Sequence, residues 1–198
     1  MKEKFIITIG REYGSGGGEI GRQLSKYFNI PCYDKELLTI AAKESGYCKE
    51  YFEKYDEKPI KVLSYFGINS NTDALPINHK LFLKQFNIIQ NLAKQESCIF
   101  IGRAANYALR DFENVVNVFV HGDFEFRRQR AIHEHEIKEE SSKSIVKKID
   151  KERSSYYNYY TDYTWGDYKH YHICLDTSFI GIDESVRIII DFIEQRYK

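Results

Sequence analysis

The residues in this chain best suited to chemistry are a run of glycines and a set of arginines. Ile9-Gly10-Arg11-Glu12-Tyr13-Gly14-Ser15-Gly16-Gly17-Gly18-Glu19-Ile20-Gly21 sets five glycines between Gly10 and Gly18, after an apolar run and before a helical pattern. Glycines let successive backbone N–H groups point into one concavity, and a helix starting there adds its partial positive charge. A polyphosphate is the natural occupant of Gly14, Ser15, Gly16, Gly17 and Gly18; the alternative is a turn that only packs a helix close to a sheet. Arg103 follows Gly102 after another apolar run, at the carboxyl end of a strand, where open α/β folds bind ligands and a guanidinium can grip phosphate bidentately. A plain surface arginine is its other reading. Asp34 suits a ligand contact or the N-cap of a helix over 35–42. Arg127, Arg128 and Arg130 share a charged stretch with Glu125, Glu134 and Glu136, which suits phosphate contact or a solvated helix face. Arg153 stands one turn after Asp150, so an intrahelical pair is open to it.

The glycine loop departs from the common phosphate-loop motif, which ends in Gly-Lys-Ser/Thr, the lysine reaching the phosphates and the hydroxyl holding Mg²⁺. With Gly14-Ser15-Gly16 on the glycine turn, Gly17 stands where the lysine belongs, and Gly18-Glu19 follow. Arg11 and Arg22 are the candidate replacement cations, and Ser15 is the nearest remaining hydroxyl for a metal.

These residues need elements to hold them. Apolar runs predict strands over 5–9, 30–33, 98–101, 115–120 and 171–175, short and nearly continuous, as in strands covered on both faces. Between them lie helical periods: Ile20, Leu24, Tyr27 and Phe28; Phe82, Phe86, Ile89 and Ala93; and Ile182, Val186, Ile189, Ile190 and Ile193. Strands alternating with helices predict a parallel sheet wrapped by helices. Two stretches break the alternation. Residues 46–78 carry Pro59, Pro76 and a polar turn cluster, and read as an insertion on the substrate side. Residues about 131–165 are charged and then rich in tyrosine (Tyr156, Tyr157, Tyr159, Tyr160, Tyr163), and read as a lid. Those tyrosines suit base stacking, or packing within the lid or in a homo-oligomer.

Composition narrows the function. The 198 residues fit one domain over 1–198, and 29 basic against 29 acidic side chains leave no net charge, which disfavours nucleic acid as a partner. No apolar run approaches the roughly 20 residues of a membrane helix, and the N-terminus lacks a leader's pattern, so the cytoplasm is the expected location. Cys32, Cys48, Cys98 and Cys174 form no metal or disulfide spacing, and no histidine spacing suggests a metal.

Seven segments in register resemble the cytidylate kinase-like family: Gly10 to Gly17, Tyr33-Asp34, Ile101-Gly102-Arg103-Ala104, Phe126-Arg127, Ile149 to Arg153, Trp165-Gly166-Asp167 and Asp176-Thr177-Ser178. The resemblance implies a three-layer P-loop NTPase-like α/β fold: a parallel sheet of about five strands flanked by helices, plus a helical lid and insertion. It implies ATP-dependent phosphoryl transfer to a nucleoside monophosphate, CMP or dCMP, with Mg²⁺. Carried over, Asp34, Arg103, Asp150 and Arg153 face the acceptor. Arg127 and Arg130 open the lid and close over the transferred phosphoryl group. Apart from the resemblance, Arg11 is the nearest cation on the loop and is expected to stand in for the missing lysine. The family's arginine a turn and a half after the acid is Ile40 here. The competing readings are a nucleotide-binding regulatory module with little turnover and a kinase for another small acceptor.

Overall fold

A computed structural model describes residues 3–35 and 77–197, together with Leu37, Thr39, Ile40, Lys43 and Glu57. The elements that place the site begin with β1 (Ile6–Arg11), α1 (Gly17–Phe28) and β2 (Cys32–Tyr33). After the gap come α2 (Ile77–Gln95), β3 (Cys98–Ile101) and α3 (Ala105–Ala108). β4 (Val115–His121), α4 (Phe124–His135) and α5 (Glu139–Tyr160) follow, then β5 (Ile173–Asp176), α6 (Thr177–Ile180) and α7 (Ile182–Arg196). The five strands are parallel in the order β2-β3-β1-β4-β5, so β1 lies at the centre and its neighbours are far along the chain.

Alternation along the strands divides the core. Ile6, Cys98 and Phe100 point to one side of the sheet, under α2 and α3, with Leu81, Ile89 and Ala105. Ile7, Ile9, Ile99 and Ile101 point to the other, under α1 and α7, with Leu24 and Ile189. Burial on both faces is why these strands read as unbroken apolar runs. The expected parallel sheet wrapped by helices is the one observed.

Strand ends differ from expectation for local reasons. β1 runs on through Gly10 and Arg11 because they pair in register with Phe119 and Val120 of β4. β2 starts later than residue 30, since Ile30 donates its N–H to the Ser25 carbonyl (3.2 Å) while Asn29, at φ 52°, closes α1 in the left-handed conformation. β5 starts after Tyr171, whose N–H caps a short 3₁₀ turn at Tyr168.

The tyrosine-rich segment is the C-terminal half of α5. Tyr156, Tyr157 and Tyr160 are buried with Phe82 and Ala104, and Tyr160 stacks on Phe82 at 4.1 Å between ring centroids. Packing within the chain occupies these three rings, which removes them from a subunit interface; Tyr159 alone of the helical run is strongly exposed. The insertion expected over 46–78 lies outside the described residues apart from Glu57 and the first turn of α2.

Candidate functional site

The glycine turn joins the end of the central strand to the start of α1. Gly14 and Gly16 hold left-handed φ values of 78° and 88°. A Cβ on Gly14 would run into the Arg127 carbonyl, and one on Gly16 into the Ile182 side chain, so both glycines let the loop lie tight against α4 and α7. Gly18 differs: a Cβ there meets only Arg22 Nη1, at 3.5 Å. The first intrahelical bond is Ile20 N–H to the Gly16 carbonyl (2.9 Å), which leaves the N–H groups of Gly17, Gly18 and Glu19 outside the helix's own ladder. These residues line a cavity of about 370 Å³.

Strand ends supply other parts of that cavity's wall. Arg11 closes β1 and Arg103 follows β3; Asp34 follows β2, and Arg153 reaches in from α5. Glu57 ties them together. Arg11 Nη1 and Nη2 donate to the two Glu57 carboxylate oxygens at 2.7 and 2.8 Å. The Arg103 backbone N–H donates to Glu57 Oε1 at 2.7 Å, and Arg153 Nε stands 3.6 Å from Oε2. The Arg103 guanidinium, 1% exposed, donates to Asp34 at 3.0 Å and to the Ile101 carbonyl at 2.9 Å. Burial alone would raise the Glu57 carboxyl, but Arg11 and then Arg153 hold it well below the usual carboxylate range. Burial lowers Arg153 to about 10, with Arg11 adding repulsion. The Arg11 guanidinium moves up: burial opposes, and Glu57 outweighs it.

Several expected site residues take other places. Arg127 is buried behind the glycine loop, not in the cavity. Its Nη1 donates to the Tyr13 carbonyl (3.0 Å) and to Asp150 Oδ2 (2.7 Å), and its Nε to the Gly122 carbonyl (2.9 Å); Nε also pairs with Glu12 at 3.0 Å. Asp150 accepts the Tyr13 N–H at 2.7 Å on its other oxygen. Arg127 and Asp150 therefore brace the loop from behind, contacts that differ from the lid role expected of Arg127 and the acceptor role expected of Asp150. Of the two readings open to Arg153, the intrahelical pair with Asp150 does not form, since Asp150 is taken up by Arg127 and the Tyr13 N–H. Ser15 is fully buried, its hydroxyl directed at the carbonyls of Glu12 (2.8 Å) and Val120 (3.0 Å), so it turns away from the cavity and from the metal expected there. The Arg11 guanidinium, expected to substitute for the lysine, pairs with Glu57, although its Cβ and Cγ pack against Gly17 of the glycine turn. The cations beside that turn are Arg22 and Arg130; Arg130 lines the cavity and pairs with Glu19 at 2.7 Å. Ile40 packs into the apolar core.

Glu57 carries no signal in the sequence. It meets Arg11 across 46 residues, from a stretch without periodicity. Among the described residues no group of His, Cys, Asp and Glu forms a metal cluster, and no helix is long and apolar enough to cross a membrane.

Known proteins resemble this chain in sequence and fold. The profile of the cytidylate kinase-like family matches residues 6–179. A cytidylate kinase of Pyrobaculum islandicum (strain DSM 4184 / JCM 9189 / GEO3) is 22% identical over 190 residues, covering 95% of this chain and 92% of that one. The crystal structure of an uncharacterized protein from Eubacterium ventriosum ATCC 27560 superposes with a TM-score of 0.74 at 29% identity, over 96% of this chain and 99% of that one. Shikimate kinase from Acinetobacter baumannii in complex with shikimate shares the fold at a TM-score of 0.56 and 13% identity, over 99% and 96% of the two chains. A gluconokinase from Sinorhizobium meliloti 1021 does so at 0.56 and 15%, over 98% and 94%.

Proposed function

The chain belongs to the cytidylate kinase-like family, and from that premise we propose that it transfers a phosphoryl group from ATP to a nucleoside monophosphate, CMP or dCMP being the acceptor its resemblance favours. One observation carries the reading: a single cavity is lined both by the glycine turn at Gly17, Gly18 and Glu19 and by Arg11, Arg103 and Arg153. Its volume of about 370 Å³ lies within the usual range of small-molecule sites.

Phosphoryl transfer needs alignment and charge neutralisation more than covalent chemistry from the protein. The donor polyphosphate fits the glycine end, where N–H groups outside the helical ladder and the start of α1 favour an anion. Arg22 and Arg130 flank that end and supply cationic charge that the absent lysine does not. The acceptor's anionic group fits the arginine end, with Asp34 at its edge. Mg²⁺ adds neutralisation of the phosphates when bound; the donor set suits a cation carried mainly by phosphate oxygens and water, since Ser15 is committed elsewhere and Glu19 is paired to Arg130. Arg127 and Asp150 keep the loop in place.

A second reading, a kinase for a different small anionic acceptor, gains from Ile40, which packs into the core where the family carries an acceptor arginine. A screen of acceptors at fixed ATP and Mg²⁺ separates the readings. CMP- or dCMP-dependent ADP formation is the expected outcome, and ADP formed with another acceptor alone favours the second reading. Nucleotide binding without ADP from any acceptor contradicts both and favours a binding module.

A further inference from the structure

We infer that Arg11, Arg103 and Arg153 make one oxyanion subsite and that the Glu57 carboxylate is its built-in ligand, so that an acceptor's anionic group binds there by displacing Glu57. The acceptor's identity rests on the kinase reading; the subsite itself does not.

Glu57 is held as a bound anion is held. The planar fork of Arg11 takes both oxygens at 2.7 and 2.8 Å, the Arg103 N–H adds a 2.7 Å bond to Oε1, and Arg153 approaches Oε2 from a third element. A guanidinium fork, a backbone N–H and a second guanidinium equally suit two oxygens of a phosphate. The backbone is shaped for that occupant. Gly102, at φ 71°, carries no side chain where a Cβ would meet both the Arg11 guanidinium and the Glu57 carboxylate. Arg103 adopts a left-handed φ of 53°, sparsely populated for a residue with a side chain, and its N–H is spent on the carboxylate.

Electrostatics require an anion at this point. The three guanidiniums are almost wholly withdrawn from water, and among them Arg153 is lowered to about 10 by burial and by Arg11. Asp34 pairs with Arg103 and adds to the field at Arg11 and Arg153, as Asp150 does at Arg153, while Glu57 is the carboxylate paired with both Arg11 and Arg153. Because Glu57 and its partners line the cavity, an incoming oxyanion meets the same donors with the carboxylate as its competitor. Glu57 thereby sets how strongly an acceptor must bind to enter.

Calorimetric titration with inorganic phosphate tests this without reference to turnover. Glu57→Gln and Glu57→Ala should bind phosphate at least about tenfold more tightly than the unaltered protein, since the competitor's charge is gone and the charge-assisted donors remain. Adding Arg11→Ala to Glu57→Ala should erase the gain. Glu57→Asp, which keeps the charge but shortens its reach, should give an intermediate gain and carries the test if the neutral variants do not fold. Phosphate affinity equal to that of the unaltered protein in the folded variants overturns the inference, even if CMP is phosphorylated. A phosphate gain without a parallel CMP gain keeps the subsite and removes the monophosphate as its acceptor.

Discussion

Arg127 and Arg103 are both buried arginines held by carboxylates, yet only Arg103 lines the cavity that the glycine turn also lines. Arg127 sits behind the glycine turn, where Glu12, Asp150 and the carbonyls of Tyr13 and Gly122 take up its guanidinium. Arg127 itself does not line the cavity, although its partners Glu12 and Tyr13 do. Arg103 sits in front, with Asp34 and Glu57 beside it, on the wall of the cavity. Burial and ion pairing are therefore no guide to function by themselves. Access to the cavity separates a brace from a binding group, and that property depends on the packing of distant elements.

The comparison breaks if Arg127 behaves as a ligand contact. Arg127→Ala leaves Asp150 and Glu12 without their buried partner and should cost about 3–5 kcal/mol of stability, the scale for one member of a buried pair. Thermal or urea unfolding measures it, and a normally stable Arg127→Ala protein with lost ATP binding would return Arg127 to the site. Glycines of the loop offer a smaller contrast. Gly14→Ala places a side chain at left-handed φ against the Arg127 carbonyl and should cost at least about 1–2 kcal/mol. Gly18→Val places its Cβ in ordinary contact with the flexible Arg22 Nη1 alone, so stability should move by less than about 1 kcal/mol while ATP affinity falls. Equal stability losses in the two, or unchanged ATP affinity in a folded Gly18→Val protein, would dissolve the distinction.

Acid titration gives the mildest effect. Glu57 is held below its unfolded value of about 4.3, so the stability it contributes is complete above that pH and is lost as pH falls toward the folded value. Unfolding curves of the unaltered protein should weaken below pH about 4, and those of Glu57→Gln should weaken less. The same acid slope in both would remove Glu57 as the source.

The contrast also marks how much could be read from the chain. β3 spans the predicted residues because its neighbours bury both faces, and α7 follows from an unbroken 3.6-residue period. The glycine turn was legible since its residues are contiguous, as was Arg103 from its place after a strand. Arg127 and Asp150 were not separable from cavity residues, because Tyr13 meets Asp150 across 137 residues and Arg127 meets Asp150 across 23. Glu57 was invisible for the same reason: a long-range ion pair leaves no local period. The tyrosine run gave two readings, and Phe82, far off in sequence, decides for packing.

The central claim is that one cavity holds a phosphate donor at its glycine end and an anionic acceptor at its arginine end. Paired titration of the unaltered protein and Arg103→Ala with ATP and with CMP tests it most directly. Charge-assisted contacts are worth roughly 1.5–3 kcal/mol, so CMP affinity should fall by one to two orders of magnitude while ATP affinity stays nearly intact. Arg103→Lys should recover only part of the loss, since an ammonium cannot reproduce the planar donor set that Asp34 and the Ile101 carbonyl hold in place. Equal losses for ATP and CMP, or none for CMP, would contradict the division of the cavity into donor and acceptor ends.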